Sequence, residues 1–111
     1  MSRLKSFKAK VETHAQYKTP RRIYELDVKE SNADPRKIAE ALIKKMAGDL
    51  QIKPDLSQLK FDVCKKSILG THVLFQQHHD KKPISGAWIR VDIDKNGKVY
   101  NVLNDLVPEK V

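Results

Sequence analysis

GTHVLFQQHHDKKPISGAWIRVDIDKNGKVYNVL, residues 70–103, carries the strongest structural signal of the chain, because it contains three alternating apolar runs separated by two turn signals. In the first run, Val73 and Phe75 alternate with His72 and Leu74, so both faces of this strand carry apolar side chains. The second run has one apolar and one mostly polar face, which is the pattern of a half-buried strand. The apolar face of the second run consists of Ala87, Ile89, Val91 and Ile93.

Turn signals bound these runs. Residues 80–83, Asp-Lys-Lys-Pro, form a loop after the first run, and residues 94–97, Asp-Lys-Asn-Gly, reverse the chain after the second. Gly97 can take the positive φ that a hairpin loop of this length needs, and Asn96 tolerates it better than most residues. Before the first run, residues 65–67, Lys-Lys-Ser, are predicted to mark a solvent turn or a bulge.

Residues 34–50 carry the pattern of the main helix. Asp34 can cap free amide groups, and Pro35 at the first helical position lacks an amide that would be unpaired anyway. Apolar residues then recur at intervals of three and four, which predicts a continuous stripe on one side of the helix. The stripe consists of Ile38, Ala39, Leu42, Ile43, Met46 and Leu50. Gly48 weakens the last turn and favours an end near Leu50.

Further strands are predicted on either side of these elements. Residues 59–63 resume strand alternation after the helix, residues 98–103 form a short strand, and residues 23–28 are a candidate strand. Alternation in the short strand places Val99 and Leu103 on one side, and Tyr100 and Val102 on the other. The expected fold class is α+β, with one main helix packed on an antiparallel sheet of about four strands.

At 111 residues and 12.8 kDa, the chain fits one domain with a modest core. Residues 1–33 are expected to be a basic extension with a candidate strand around residues 7–13, residues 34–104 the α+β domain, and residues 105–111 a tail or linker. The apolar fraction of 40% and charged fraction of 32% are typical of a globular protein. No apolar run approaches the length of a membrane span, so no membrane partner is expected.

The order and spacing of short motifs in this chain resemble the fungalysin/thermolysin propeptide (FTP) domain, a PepSY-like propeptide of zinc metallopeptidases. In that family a strand of the type HVRFQQ leads through a short loop to GVPVFGA and on to a strand closed by DKDGKV. The corresponding segments here are HVLFQQ, residues 72–77, PISGA, residues 83–87, and DKNGKV, residues 94–99. Lys81 replaces the family's glycine two positions before the proline, and Ser85 replaces an aromatic residue. A lysine incurs a steric cost at positive φ that glycine does not, so this loop is expected to differ from the family's.

The resemblance implies a non-catalytic propeptide that precedes a zinc metallopeptidase, assists its folding as an intramolecular chaperone and inhibits it until removed. The implied partner is a zinc metallopeptidase domain, in cis or in trans. The family features that carry over would shape the hairpin rather than perform chemistry. They are Phe75, Gln76, Gln77, Pro83, Ile84, Gly86, Ala87, Asn96 and Gly97.

The location implied by the resemblance is secreted or periplasmic. The first residues of this chain, MSRLKSFKAKVETHAQYK, are basic and lack the apolar region of a signal peptide. Either a signal has been removed, or the chain is an intracellular or recombinant piece. The single cysteine, Cys64, excludes an intramolecular disulfide and leaves the redox compartment open.

No catalytic or cofactor-binding arrangement is predicted. A zinc peptidase needs two histidines and a glutamate in the H-E-x-x-H arrangement, which this sequence lacks. His78 and His79 are adjacent on a predicted strand and point to opposite faces. His72 and His78 share a face but lie roughly 20 Å apart at about 3.3 Å per residue. Cys64 has no motif of the kind that accompanies a catalytic thiol. The chain is therefore expected to be no enzyme and to hold no metal or cofactor.

Charge and surface residues leave two other functions open. The net charge of +8 and pI near 9.6 attract phosphate, but the aromatic content of 6% and the lack of an RNP-like motif disfavour a specific nucleic-acid binder. The other alternative is a stand-alone protein-interaction domain with the same fold. Candidate interface residues are Trp88 and Arg90, which are favoured interface anchors, together with Lys81 in the nearby loop. Trp88 could instead pack under the helix. The sequence predicts no oligomeric state.

Overall fold

The chain forms an antiparallel sheet that is covered on one face by a helix. The computed structural model describes residues 10–15, 19–29, 34–52 and 56–107. The elements in chain order are β1 (Lys10–Thr13), β2 (Pro20–Lys29), α1 (Pro35–Leu50), β3 (Leu59–Ser67), β4 (Gly70–His79), β5 (Lys82–Asp94) and β6 (Lys98–Asn104). The order across the sheet is β1-β2-β6-β5-β4-β3, and each neighbouring pair is antiparallel.

The predicted combination of a main helix and an antiparallel sheet is confirmed, but the expected number of about four strands is wrong. In the described residues six strands form the sheet, because β2 pairs with β6 and β1 then pairs with β2. β1 shows little alternation of apolar and polar side chains, since Val11 is its one partly buried residue and the others are exposed. The candidate strand at residues 7–13 lies partly outside the described residues. The division of the chain at residues 33/34 and 104/105 stays a prediction.

α1 begins and ends where its capping signals predict. The Asp34 carboxylate accepts the Arg36 N–H at 3.1 Å, and Pro35 is the first helical residue. At the other end Gln51 adopts the left-handed conformation with φ 57°, and its N–H donates to the Gly48 carbonyl at 3.3 Å. No helix in the described part of the chain is long and apolar enough to cross a membrane.

The core lies between α1 and one face of the sheet. The predicted stripe of α1 is buried, and so is the predicted apolar face of β5. The buried cluster consists of Ile23, Ile38, Ala39, Leu42, Ile43, Met46, Ala47, Leu50, Ile52, Val73, Phe75, Ile89, Val91, Ile93, Val99, Val102 and Leu106. Burying one large apolar side chain contributes about 1.5–3 kcal/mol, so this layer is the main source of stability.

The side-chain alternation predicted for the last strand is wrong. Val99 and Val102 are both fully buried, although they were expected on opposite sides. The register explains the difference, because Ile93 pairs with Val99 while Asp92 pairs with Asn101. Tyr100 is therefore the extra residue of a β-bulge. Because of this extra residue, Val99 and Val102 both face the core although they are three positions apart.

The turn between β4 and β5 is tighter than the predicted four-residue loop. His79 pairs with Lys82, so only Asp80 and Lys81 lie between the strands, and Pro83 belongs to β5. Asp80 has φ 50° and Lys81 has φ 67°. Positive φ at both central residues is typical of a type I′ turn, which suits the twist of the flanking strands. Lys81 therefore takes positive φ despite the steric cost that led us to expect a loop different from the family's.

The turn between β3 and β4 lies beyond the predicted position. β3 continues through Ser67, and Ile68 and Leu69 form the exposed tip of the turn. The bulge of this hairpin lies at Asp62, between Phe61 and Val63. Gly70 follows the tip with φ 143°, and an added Cβ would lie 2.0 Å from the Ile93 carbonyl oxygen. Glycine is therefore required at the start of β4, where the backbone lies close to that of the neighbouring strand β5.

Candidate functional site

The face of the sheet opposite α1, called the open face below, carries the side chains that alternate with the core. The observed registers align one row of residues across all the described strands on this face. From β3 to β1, the row contains Lys65, His72, Asp92, Asn101, Tyr24 and Lys10. Directly opposed side chains have Cβ atoms about 4.5–5.5 Å apart, so neighbours in the row can bond to each other.

Asp92 is the centre of a polar network on the open face. Its side chain is only 3% exposed, and both carboxylate oxygens are bonded. His72 Nδ1 lies 2.7 Å from Oδ1, and Asn101 Nδ2 donates to Oδ2 at 2.9 Å. Arg90 Nη2 donates to Oδ2 at 3.0 Å, and Arg90 Nε lies 2.9 Å from Oδ1 as an ion pair without the geometry of a hydrogen bond. A buried charge is stable only when it is paired and hydrogen-bonded, so these partners make the buried Asp92 carboxylate tenable.

The network continues through His72 to the turn between β3 and β4. Because an ionised carboxylate only accepts hydrogen bonds, Nδ1 of His72 is the donor to Asp92. In the neutral imidazole, Nε2 then accepts the hydroxyl of Ser67, 2.7 Å away. The same hydroxyl oxygen accepts the Leu69 N–H at 3.2 Å. These bonds fasten the exposed turn to the buried centre of the open face.

The arrangement of Ser67, His72 and Asp92 has the connectivity of a nucleophile, a base and an orienting carboxylate. Two features distinguish it from an activated nucleophile. The Asp92 charge that would balance an imidazolium already balances the Arg90 guanidinium. Ser67 is also exposed, whereas nucleophilic catalysis benefits from a site that excludes water. The observed bonds of these residues hold the turn between β3 and β4.

A shallow depression of about 550 Å³ lies over the network on the β2 and β6 side. Arg22 stacks on Tyr24 with its Cζ atom 4.5 Å from the ring centroid, and donates to Glu12 at 3.2 Å. Tyr100 lines the same depression, where burial, followed by the negative charge of Asp92, raises the pKa of its phenol above 10.0. The depression thus offers arginine and neutral aromatic groups, which are enriched at protein interfaces.

Two glutamines of the family motif bind backbone groups elsewhere in the fold. Gln76 Nε2 donates to the carbonyl oxygens of Ile84 at 2.7 Å and Ala87 at 3.3 Å, across the β4–β5 hairpin. Gln77 is buried, and its amide donates to the Val107 carbonyl at 2.9 Å and accepts the Val107 N–H at 2.7 Å. Gln76 therefore holds the hairpin, while Gln77 fixes the segment that follows β6.

The other motif residues occupy structural positions along the hairpin. Phe75 and Ala87 are buried on the covered face, and Ile84 is half-buried. Pro83 lies in β5 opposite His78, and Gly86 has φ 76°. The register shifts between Gln76 and His78, so the segment with Pro83, Ile84 and Gly86 forms an irregular bulge.

Asp94 organises the turn between β5 and β6. Its Oδ1 atom accepts the N–H groups of Asn96 and Lys98, each at 2.9 Å. Its carbonyl oxygen accepts the Gly97 N–H at 3.1 Å, and Gly97 has φ 83°. The positive φ predicted for Gly97 is therefore confirmed, and Asn96 contributes its backbone amide to the turn.

The candidate interface residues are divided between two places. Trp88 and Arg90 share the open face, where Trp88 is half-buried opposite Gln76 and does not pack under α1. Lys81 lies apart from them, exposed at the turn between β4 and β5. In the described residues there is no group of three histidine, cysteine or acidic side chains placed to hold a metal ion. Cys64 is an exposed free thiol on β3.

Ser67, His72, Asp92 and Asn101 are the network residues that the sequence does not single out. The alternation of side chains along the strands predicts that His72 and Asp92 point away from the core. It does not predict that these two residues are paired. The bulge in β5 sets that pairing, because it shifts the register of β5 against β4.

Residues 65–106 match the family model described as Fungalysin/Thermolysin Propeptide Motif. The match confirms the resemblance over the end of β3, all of β4, β5 and β6, and the two residues after β6. It contains Asp92 and all of its bonded partners. Searches of curated proteins and of solved structures each found no significant match.

Proposed function

We propose that this chain is a propeptide-type module that binds a thermolysin-like zinc metallopeptidase domain, assists its folding and keeps it inactive. The match of residues 65–106 to the propeptide motif is the observation that carries this proposal. The peptidase domain is a partner in cis within one precursor, or in trans as a separate chain. Peptidases with such propeptides are exported, so we propose a secreted or periplasmic location.

The structure supports a binding role through preorganisation. The matched residues form a continuous block of strands, and the Asp92 network fixes the side chains of that block on the open face. A surface that is already ordered loses little conformational entropy when it binds. The net charge of +8 favours an acidic partner, because complementary charge accelerates encounter.

Trp88 is the proposed anchor of the contact with the peptidase. It is half-buried on the open face, and tryptophan contributes a large contact area with little loss of side-chain entropy. Arg90 has a different role in this proposal, since its guanidinium is held by Asp92 and shapes the surface beside Trp88. Lys81 contributes positive charge at the turn tip.

A titration of thermolysin and of a fungalysin catalytic domain with the purified chain tests the proposal. We expect peptidase activity on a fluorogenic peptide to fall with increasing chain, and refolding of the denatured peptidase to be faster in its presence. Trp88→Ala should weaken inhibition about tenfold or more, as expected for an anchor residue. Lys37→Ala, an exposed change on α1, is the matched control and should leave inhibition unchanged.

Unchanged activity and unchanged refolding of both peptidases at about 100 µM chain would contradict the proposal, because a functional inhibitor binds more tightly than that. Binding without any effect on activity or refolding would favour the stand-alone interaction domain.

A further inference from the structure

β3 is the exposed edge of the sheet beside the propeptide motif. It is the last strand in the sheet order and is nine residues long, whereas the other edge strand, β1, has four residues. Alternate residues of an edge strand direct their N–H and C=O groups away from the sheet, where another strand can pair with them. β3 is therefore long enough to accept an additional strand.

A groove of about 450 Å³ runs beside β3 on the side that faces α1, and we call it the edge groove. Its residues are Arg36, Glu40, Lys44, Leu56, Leu59, Lys60, Phe61 and Phe75. Phe61 and Phe75 meet edge to face, with ring centroids 6.1 Å apart and an interplanar angle of 76°. Phe61 is 36% exposed, and Arg36 Cζ lies 4.5 Å from its ring centroid, so part of the aromatic surface remains accessible beside the strand edge. The volume is in the range of about 300–1,000 Å³ that ligand sites occupy.

The surroundings of the edge groove are predominantly basic. Five cationic side chains lie on β3 or in the groove: Arg36, Lys44, Lys60, Lys65 and Lys66. Among the described residues, the acidic side chains of this region are Asp62 and Glu40. Glu40 and Arg36 are paired with each other at 3.1 Å, which leaves four lysines and Asp62. Lysines on an edge strand oppose pairing with another copy of the same strand, because the like charges would face each other. The same lysines favour a strand that carries acidic side chains.

We propose that β3 and the edge groove bind an extended acidic segment of the peptidase domain as an added strand. Backbone hydrogen bonds to β3 would supply affinity, and alternate side chains of the segment would supply specificity. One apolar side chain of the segment packs against the exposed part of Phe61, and its acidic side chains lie beside the lysines. The assignment of the segment to the peptidase rests on the proposed function, while the strand addition rests on the edge itself.

A synthetic peptide tests strand addition without any peptidase. The probe is a capped peptide in which glutamate and valine alternate around a central phenylalanine. Titrated into the isotope-labelled full chain, it should shift the amide NMR signals of residues 59–67, with a dissociation constant of about 10–500 µM. Peptides N-methylated at alternate amides should bind at least about tenfold more weakly when the methyl groups face β3, because those hydrogen bonds are lost.

Substitutions on the chain distinguish the edge groove from general charge attraction. Phe61→Ala removes the aromatic surface, and Ile68→Ala at the exposed turn is its matched control. Lys60→Glu reverses charge at the groove, and Lys95→Glu reverses it in the turn after β5. We expect a loss of about tenfold in peptide affinity for each groove variant and less than about twofold for each control. Circular dichroism confirms that each variant is folded.

Several results would overturn strand addition. These are equal binding of every N-methylated peptide, signal shifts centred on Trp88 instead of β3, and no binding at about 1 mM peptide. Concentration-dependent shifts of residues 59–67 without peptide would identify a second copy as the occupant. Displacement of the peptide by an oligonucleotide at equal concentration would identify a nucleic acid.

The two proposals fail in different ways. Peptide binding at β3 together with unchanged peptidase activity and refolding would refute the proposed function and leave strand addition standing. Inhibition of the peptidase that is equally strong in the wild type, Phe61→Ala and Lys60→Glu would refute the assignment of the edge groove to the peptidase and leave the proposed function standing.

Discussion

The two faces of one sheet are stabilised by different physical means. On the covered face, Val73 and Val91 pack against α1 in an apolar core. At the adjacent position of each strand, His72 and Asp92 face the other way and join the polar network of the open face. Apolar burial is non-directional, so the covered face needs suitable volume, whereas the network needs specific bond geometry. The covered face therefore contributes most of the stability. The open face holds its side chains in a fixed arrangement.

The largest loss of stability is expected from a substitution in the apolar core of the covered face. Leu42→Ala removes a fully buried side chain of α1 and leaves a cavity, which should lower the free energy of unfolding by about 3–4 kcal/mol in urea denaturation. Lys37→Ala on the exposed side of the same helix should change it by less than about 0.5 kcal/mol. Equal effects of the two substitutions would mean that α1 does not pack on the sheet as described.

A smaller loss is expected when the charge at the centre of the open face is removed. Asp92→Asn keeps the shape but replaces one acceptor oxygen by an NH2 group, so a part-buried bond to His72 or Asn101 is lost and we expect a loss of about 1–3 kcal/mol in the same measurement. Asp62→Asn, in the exposed bulge of β3, is the control and should be close to neutral. Unaltered stability of Asp92→Asn would show that the network adds little to the open face.

The strained turn between β4 and β5 offers a stabilising change. Lys81 has φ 67°, and glycine adopts this conformation without the steric cost that a side chain incurs. Lys81→Gly should therefore raise the free energy of unfolding by about 1 kcal/mol. Lys82→Gly, one position later in β5, should lower it instead. A loss of stability in Lys81→Gly would argue against the type I′ turn.

The smallest effect concerns the pH dependence contributed by Tyr100. Burial raises the pKa of its phenol in the folded state above the ordinary value of 10.0, so the unfolded chain releases this proton first. The resulting stability is fully present below pH 10.0 and is lost as pH rises through the higher folded value. Wild type should therefore lose stability relative to Tyr100→Phe above pH 10.0 and not below it. A difference that stays constant across this range would contradict burial of the phenol.

The covered face could be predicted from the sequence, because periodicity reports directly on burial. The stripe of α1 and the apolar face of β5 follow from spacing alone, and Asp34 and Pro35 mark the helix start by local chemistry. These features depend on neighbours in the chain, and they do not require knowledge of which strands pair.

The open face could not be predicted in the same way, because it depends on register. Counting back from the pair of His79 and Lys82 in a regular hairpin would place His72 opposite Ile89. The observed partner is Asp92, since the irregular segment of β5 shifts the register. No local pattern specifies how far a bulge displaces the strand. Candidate strands are predicted at residues 7–13 and 23–28, but the sequence does not show that they extend the sheet. The short β1 in particular has too weak a pattern to show its pairing with β2.

Trp88 offers the most direct measurement of the central claim that the open face contacts a thermolysin-like peptidase. It is the only tryptophan of the chain, so 5-fluorotryptophan gives one 19F NMR signal that reports on this face. This signal should shift as the peptidase domain is added, in proportion to the loss of peptidase activity in the same sample. An unchanged signal while activity falls would show that the peptidase binds elsewhere, and would contradict the role assigned to the open face.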